Sequence, residues 1–87
     1  MINFVLSNDY IVACEIYHLN QTCFEKLVDS LKNKLDRKTI ANSVDTLHDW
    51  GIVQSEYDSN CCCRIFKIHD EHKLRIKELY DFYFENF

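Results

Sequence analysis

The chain has 87 residues, a net charge of −4, and a composition that is 47% apolar and 14% aromatic. This length is typical of one small domain, and the large apolar fraction excludes a disordered chain. No run approaches the roughly 18 apolar residues that a membrane span needs. The first residues lack the basic region and cleavage site of a secretory signal. We therefore expect a single cytoplasmic domain over residues 1–87, with no membrane partner.

The positive charges are unevenly distributed. All ten Lys and Arg residues fall within residues 26–38 and 64–77, and each window holds five cations against two carboxylates. The residues between these windows carry only negative charge. A net negative charge argues against nucleic-acid binding. It therefore matters where the two positively charged windows lie in the fold.

Two helices are predicted in the first part of the chain. Cap residues at 7–9 precede a helix that runs to about Leu19. Thr22 and Glu25 have the spacing of a capping box, in which each side chain bonds to the other's backbone N–H. The second helix then shows apolar residues at 3-4-3 spacing, at Phe24, Leu27, Val28 and Leu31.

The third helix has the clearest start and end signals. Asp36 is a good N-cap because its carboxylate can accept hydrogen bonds from the first turn. Gly51, the only glycine in the chain, can close a helix in the left-handed conformation. Between them one face is apolar, at Ile40, Val44 and Leu47. Ile52 and Val53 then begin a strand.

A hairpin and a last helix complete the predicted elements. The strands cover about 52–57 and 61–68, with turn residues at 58–60. Alternation places Arg64, Phe66 and Ile68 on one face of the second strand. The last helix begins at Asp70 and is strongly aromatic.

The third helix and the strand after it resemble the recognition helix and first wing strand of winged helix-turn-helix DNA-binding proteins, as in ArsR- and MarR-type regulators. The matching residues are Thr39-Ile40 and Leu47-His48-Asp49-Trp50-Gly51-Ile52-Val53. The resemblance implies an α+β, mostly helical fold: a three-helix core, a two-stranded hairpin wing and a C-terminal helix. The helix-turn-helix would cover about 22–50, the wing about 52–68 and a C-terminal dimerisation helix about 70–87.

By this resemblance the chain would be a sequence-specific transcriptional regulator that binds double-stranded DNA as a homodimer. The expected DNA contacts are Lys34, Arg37, Lys38, Thr39, Asn42, Ser43, Thr46 and Arg64. These residue types can neutralise phosphates or read base edges. Lys and Arg are, however, most often only solvated surface. Asp45 and Asp49 also point outward and repel phosphate, which leaves open a winged-helix protein–protein interaction module.

The aromatic last helix is apolar over more than one face, which favours a homodimer interface. The expected interface residues are Ile76, Leu79, Tyr80, Tyr83, Phe84 and Phe87. Alternatively, one face covers the core and the rest is ordinary surface.

Five cysteines are many for this length, but their odd number and the missing signal argue against a secreted disulfide framework. Intracellular disulfides do occur in thermophilic archaea. Cys61, Cys63 and His69 could together bind a metal, or the wing cysteines could make a redox- or metal-responsive regulator. A disulfide, or simple packing in the strand, is the alternative. There is no catalytic triad spacing and no phosphate loop, so we predict neither an enzyme nor a cofactor.

Overall fold

The computed structural model describes residues 7–60 and 62–85, with side chains described as far as residue 82. Seven elements follow one another along the chain. They are α1 (Asn8–Leu19), β1 (Gln21–Cys23), α2 (Phe24–Leu31), α3 (Arg37–Asp49), β2 (Val53–Asp58), β3 (Cys63–Ile68) and α4 (Asp70–Glu85). Over these residues, none of the helices has the length and apolar character needed to cross a membrane.

The strands form one antiparallel sheet in the order β1-β3-β2. The predicted hairpin is present, with Val53 opposite Ile68 at its base and Tyr57 opposite Arg64 near its tip. β1 was not predicted. It pairs with the open edge of β3, where Thr22 lies opposite Phe66.

The predicted capping box of Thr22 and Glu25 is wrong. Thr22 lies in β1 and is 3% exposed, and its hydroxyl donates to the carbonyl of Cys23 at 3.2 Å. Cys23 therefore occupies the N-cap position of α2. The cause is the neighbouring strand: a β-branched residue beside an unpaired edge is more stable in the ladder than as a cap.

The core centres on α1, which packs against both α3 and α4. Val12, Ala13, Cys14 and Ile16 of α1 are all fully buried. Burial raises the pKa of the Cys14 thiol to about 11, so it behaves as an apolar packing group.

The local signals of α3 are confirmed. The Asp36 carboxylate accepts a hydrogen bond from the Thr39 N–H at 2.9 Å. Hydrogen bonding to the Thr39 side chain, and then to this N–H, lowers the pKa of Asp36. Gly51 has a φ of +76°, so the helix closes in the left-handed region. The N–H of Ile52 returns to the carbonyl of Leu47 at 3.0 Å. The turn thus leads directly from α3 into the wing.

Candidate nucleic-acid interface

The exposed face of α3 carries both signs of charge. Lys38, Asn42, Asp45 and Asp49 are exposed and recur every three or four residues, opposite the buried Ile40, Val44 and Leu47. The first half of this face therefore presents an ammonium and an amide. The second half presents two carboxylates, which repel phosphate.

The wing places Arg64 on the same side of the molecule. A cleft of about 250 Å³ between α3 and the wing is lined by Val44, Asp45, His48, Ser55, Arg64 and Phe66. Asp45 is seven residues from Lys38, so the two lie on one line along the helix, roughly 10 Å apart. Arg64, which donates to the Ser55 hydroxyl at 3.1 Å, therefore lies on the side of α3 that also carries Lys38.

Not all of the predicted hydroxyl contacts reach this face. Ser43 is 3% exposed, so its prediction as a DNA contact is wrong: it lies on the buried side, between Ile40 and Leu47. Thr46 is half-buried, and its hydroxyl donates to the carbonyl of Asn42 at 3.0 Å. Thr39 is also half-buried and lies at the capped first turn.

The two other predicted cations near the start of α3 differ in their surroundings. Lys34 is exposed in the turn between α2 and α3. Arg37 is bound to α2: its guanidinium makes an ion pair with Glu25 and lies over the Phe24 ring, 4.9 Å from the centroid. The hydrogen bonds between them lower the pKa of Glu25 and raise that of Arg37, so each group favours the charged form of the other.

Sequence reasoning missed two groups near this interface. Glu25 is twelve residues from its partner Arg37, and no local pattern indicates that pair. Tyr57 is 65% exposed and lies opposite Arg64 in the ladder. The alternation of the hairpin could have shown that Tyr57 faces the same side as Arg64.

The candidate metal ligands do not form a site among the residues described. Cys63 is disulfide-bonded, which removes its thiolate as a ligand. The ring Nδ1 of His69 accepts from the Glu71 N–H at 3.1 Å. Cys61 lies outside the described residues. Within residues 7–60 and 62–85, no group of three His, Cys, Asp or Glu side chains could hold a metal ion.

The predicted interface residues of α4 divide into two groups. Ile76 is 1% exposed, and Leu79 and Tyr80 pack partly buried against the same core. The Tyr80 hydroxyl shares a hydrogen bond with His18 Nδ1 at 2.8 Å. Ile76 therefore has almost no side-chain surface left for a partner, which corrects its assignment to the dimer interface. The side chains of Tyr83, Phe84 and Phe87 lie outside the described residues.

Two apolar residues of α4 that were not predicted to lie at the interface are exposed. Leu74 is 67% exposed and Phe82 is 57% exposed. They are eight residues apart, on the side of the helix that faces away from Ile76. Their helical positions relative to Ile76 could have identified them from the sequence.

No protein-family model matches the chain, and neither does any curated protein. Solved structures do match. A MarR mutant from E. coli complexed with operator DNA has a TM-score of 0.71 and 18% identity, and the match covers 88% of this chain and 54% of that chain. A ZitR mutant from Lactococcus lactis in apo form has a TM-score of 0.78 at 10% identity, with 91% and 58% covered.

The transcriptional regulator SlyA has a TM-score of 0.67 and 16% identity, with 90% of this chain and 51% of that chain covered. The chain thus spans little more than half the length of these three proteins. Identities this low demonstrate a common fold rather than a common activity. The structure is therefore a winged-helix fold of the α+β class, shared with transcriptional regulators of the MarR family.

Proposed function

We propose that the chain is a transcriptional regulator that binds double-stranded DNA sequence-specifically through the exposed face of α3 and the wing. The observation that carries this proposal is the position of Lys38, Asn42 and Arg64 on one side of the molecule. The fold adds support, because the MarR mutant with the same fold was solved with operator DNA.

The charges of α3 suggest how far it enters the major groove. A helix of this kind reads bases with its N-terminal half. There Asn42 can bond an adenine edge and Lys38 can bind a phosphate or guanine. Asp45 and Asp49 would repel phosphates if the second half lay equally deep. We infer that only the first two turns approach the bases, while Arg64 binds the backbone beside the cleft.

The experiment is a titration of a labelled duplex of about 20 base pairs, which spans two half-sites one helical turn apart. We expect saturable binding of the wild-type chain by fluorescence anisotropy at about 50 mM salt, in the micromolar range typical of non-specific contacts or tighter. The duplex sequences come from a random pool, from which the bound duplexes are recovered over several rounds. Enrichment of particular sequences among them measures specificity. An unchanged anisotropy with every duplex would contradict the proposal.

We also propose that two copies associate through α4. Leu74 and Phe82 expose large apolar side chains on either side of Glu78 along one helix face. Exposed apolar patches usually mark association sites, and two-fold dimers are the commonest small assemblies. A two-fold dimer would present two α3 helices to successive major grooves.

Light scattering tests the dimer. We expect the wild-type mass to be twice that of one chain, and Phe82→Glu to reduce it to a single chain because a carboxylate would be buried at the interface. Tyr57→Glu is the matched control, since it places the same charge at an exposed aromatic position of the wing and should leave the dimer intact. A monomeric wild type would contradict this part of the proposal.

A protein–protein interaction module is the second candidate. Trp50 is 54% exposed at the end of α3, next to Asp49, and Tyr57 is exposed on the wing. Aromatic side chains are enriched in protein interfaces. This function would predict no duplex binding even at low salt.

A further inference from the structure

Arg37 is attached to α2 through two kinds of contact. It is the first residue of α3, and Glu25 is the second residue of α2. The guanidinium Nη1 donates to Glu25 Oε2 at 3.0 Å, and Nη2 donates to Oε1. The face of the same guanidinium lies over the Phe24 ring. The bidentate pairing and the stacking together fix its position and plane.

This contact lies at the end of α2 that is far from the connecting turn. The turn joins α3 to the C-terminal end of α2, where the N–H groups of Lys34 and Leu35 both bond the carbonyl of Leu31 at 2.8 and 2.9 Å. Glu25 is six residues before Leu31, which is roughly 9 Å along the helix. The turn before α3 is therefore bonded to the C-terminal end of α2, and the first residue of α3 is bonded to its N-terminal end. Contacts at both ends of α2 restrict the angle between α2 and the first turn of α3.

We propose that Phe24, Glu25 and Arg37 form an interhelical clamp that orients the DNA-reading half of α3, so that Arg37 is a positioning residue and not a phosphate contact. The inference rests on the proposed function and corrects the sequence-based role of Arg37. It assigns Glu25, a carboxylate, as a residue that supports DNA binding. Lys38 and Asn42 lie one and five residues beyond Arg37, within the segment that the clamp orients.

The clamp and a phosphate contact predict opposite effects at Glu25. If Arg37 bound phosphate, Glu25 would compete with DNA for the guanidinium, and Glu25→Arg would raise the affinity by removing that competition and adding positive charge. If the clamp orients α3, Glu25→Arg breaks the pair and lowers the affinity despite the added charge. The sign of the change therefore separates the two roles.

The test is a charge exchange, with duplex affinity measured by anisotropy for Glu25→Arg, Arg37→Glu and the double variant. We expect each single variant to weaken binding about fivefold or more, and the double variant to return within about twofold of wild type because the pair is rebuilt in reverse. Its salt slope should equal that of the wild type. A double variant that stays weak, with a slope reduced by about one for each lost phosphate contact, would overturn the clamp.

The matched control is the exchange Asp29→Lys with Lys32→Asp. This pair, 3.6 Å apart, joins α2 to its own C-cap residue Lys32 and is similarly exposed, so reversing it alters no contact between α2 and α3. We expect no change in affinity from this exchange.

A second measurement does not need DNA. Residual dipolar couplings of backbone amides give the angle between α2 and α3 in the free chain. We expect this angle to change in Glu25→Arg and to recover in the double variant. An unchanged angle in both single variants would overturn the clamp, even if the wild type binds no duplex and the proposed function itself fails.

Discussion

Removing Lys38 and Arg64 together is expected to weaken binding to duplex DNA near 0.1 M salt by about 10- to 100-fold for each subunit that contacts the duplex. Each cation that neutralises a phosphate releases a condensed counterion, and losing it costs up to about tenfold at this ionic strength. The two residues lie on one side of the molecule, on α3 and on β3. Fluorescence anisotropy of Lys38→Ala/Arg64→Ala against wild type measures the effect.

The control for this variant removes the same charge elsewhere. Lys73 and Lys77 lie on α4 in ion pairs with Asp70 at 3.3 Å and with Asp81 at 2.9 Å. These lysines lie on a different element from Lys38 and Arg64. Lys73→Ala/Lys77→Ala should change the affinity by no more than about twofold, since only the general field is altered. An equal loss in the two double variants would mean that net charge, rather than the α3 and wing surface, determines binding.

Leu47→Ala is expected to lower the free energy of unfolding by about 3 kcal/mol, within the range of large-to-small substitutions in cores. Leu47 is fully buried, and its carbonyl also accepts the bond that ends α3. The cavity would therefore open in the core beneath α3. Urea unfolding followed by circular dichroism measures the change.

Leu74→Ala is the matched control because it removes the same atoms from a side chain that is 67% exposed. We expect a loss below about 1 kcal/mol at protein concentrations where the chain is monomeric. Similar losses at both positions would show that Leu47 does not occupy the core that the fold requires.

The parts of the fold that could be predicted were those with local causes. Asp36 caps α3 through a residue three positions away, and Gly51 ends it through its own backbone conformation. The hairpin follows from alternation and a turn of Asp, Ser and Asn. In each case the interacting groups lie within a few residues of one another, so the sequence contains the relevant pattern.

The parts that failed depend on partners distant in the chain. β1 exists because residues 21–23 meet β3 more than forty positions later, and the local sequence favoured a helix cap. Ser43 is a different case, because its burial follows from its helical position beside Ile40, Val44 and Leu47, which is a local pattern. The ion pair between Arg37 and Glu25 was not predicted because the two residues lie on different helices; the DNA contact of Arg37 remains an untested prediction. For α4, the apolar residues were identified but not the face to which each belongs.

The dependence of duplex affinity on salt tests the central proposal most directly. If Lys38 and Arg64 of two subunits bind phosphates, the logarithm of the association constant should fall as the logarithm of the salt concentration rises. The expected slope is about −3.5 or steeper. The affinity would then drop roughly a hundredfold between about 50 and 200 mM salt. A slope near zero, or no binding at the lowest salt, would contradict the assignment of this face to DNA.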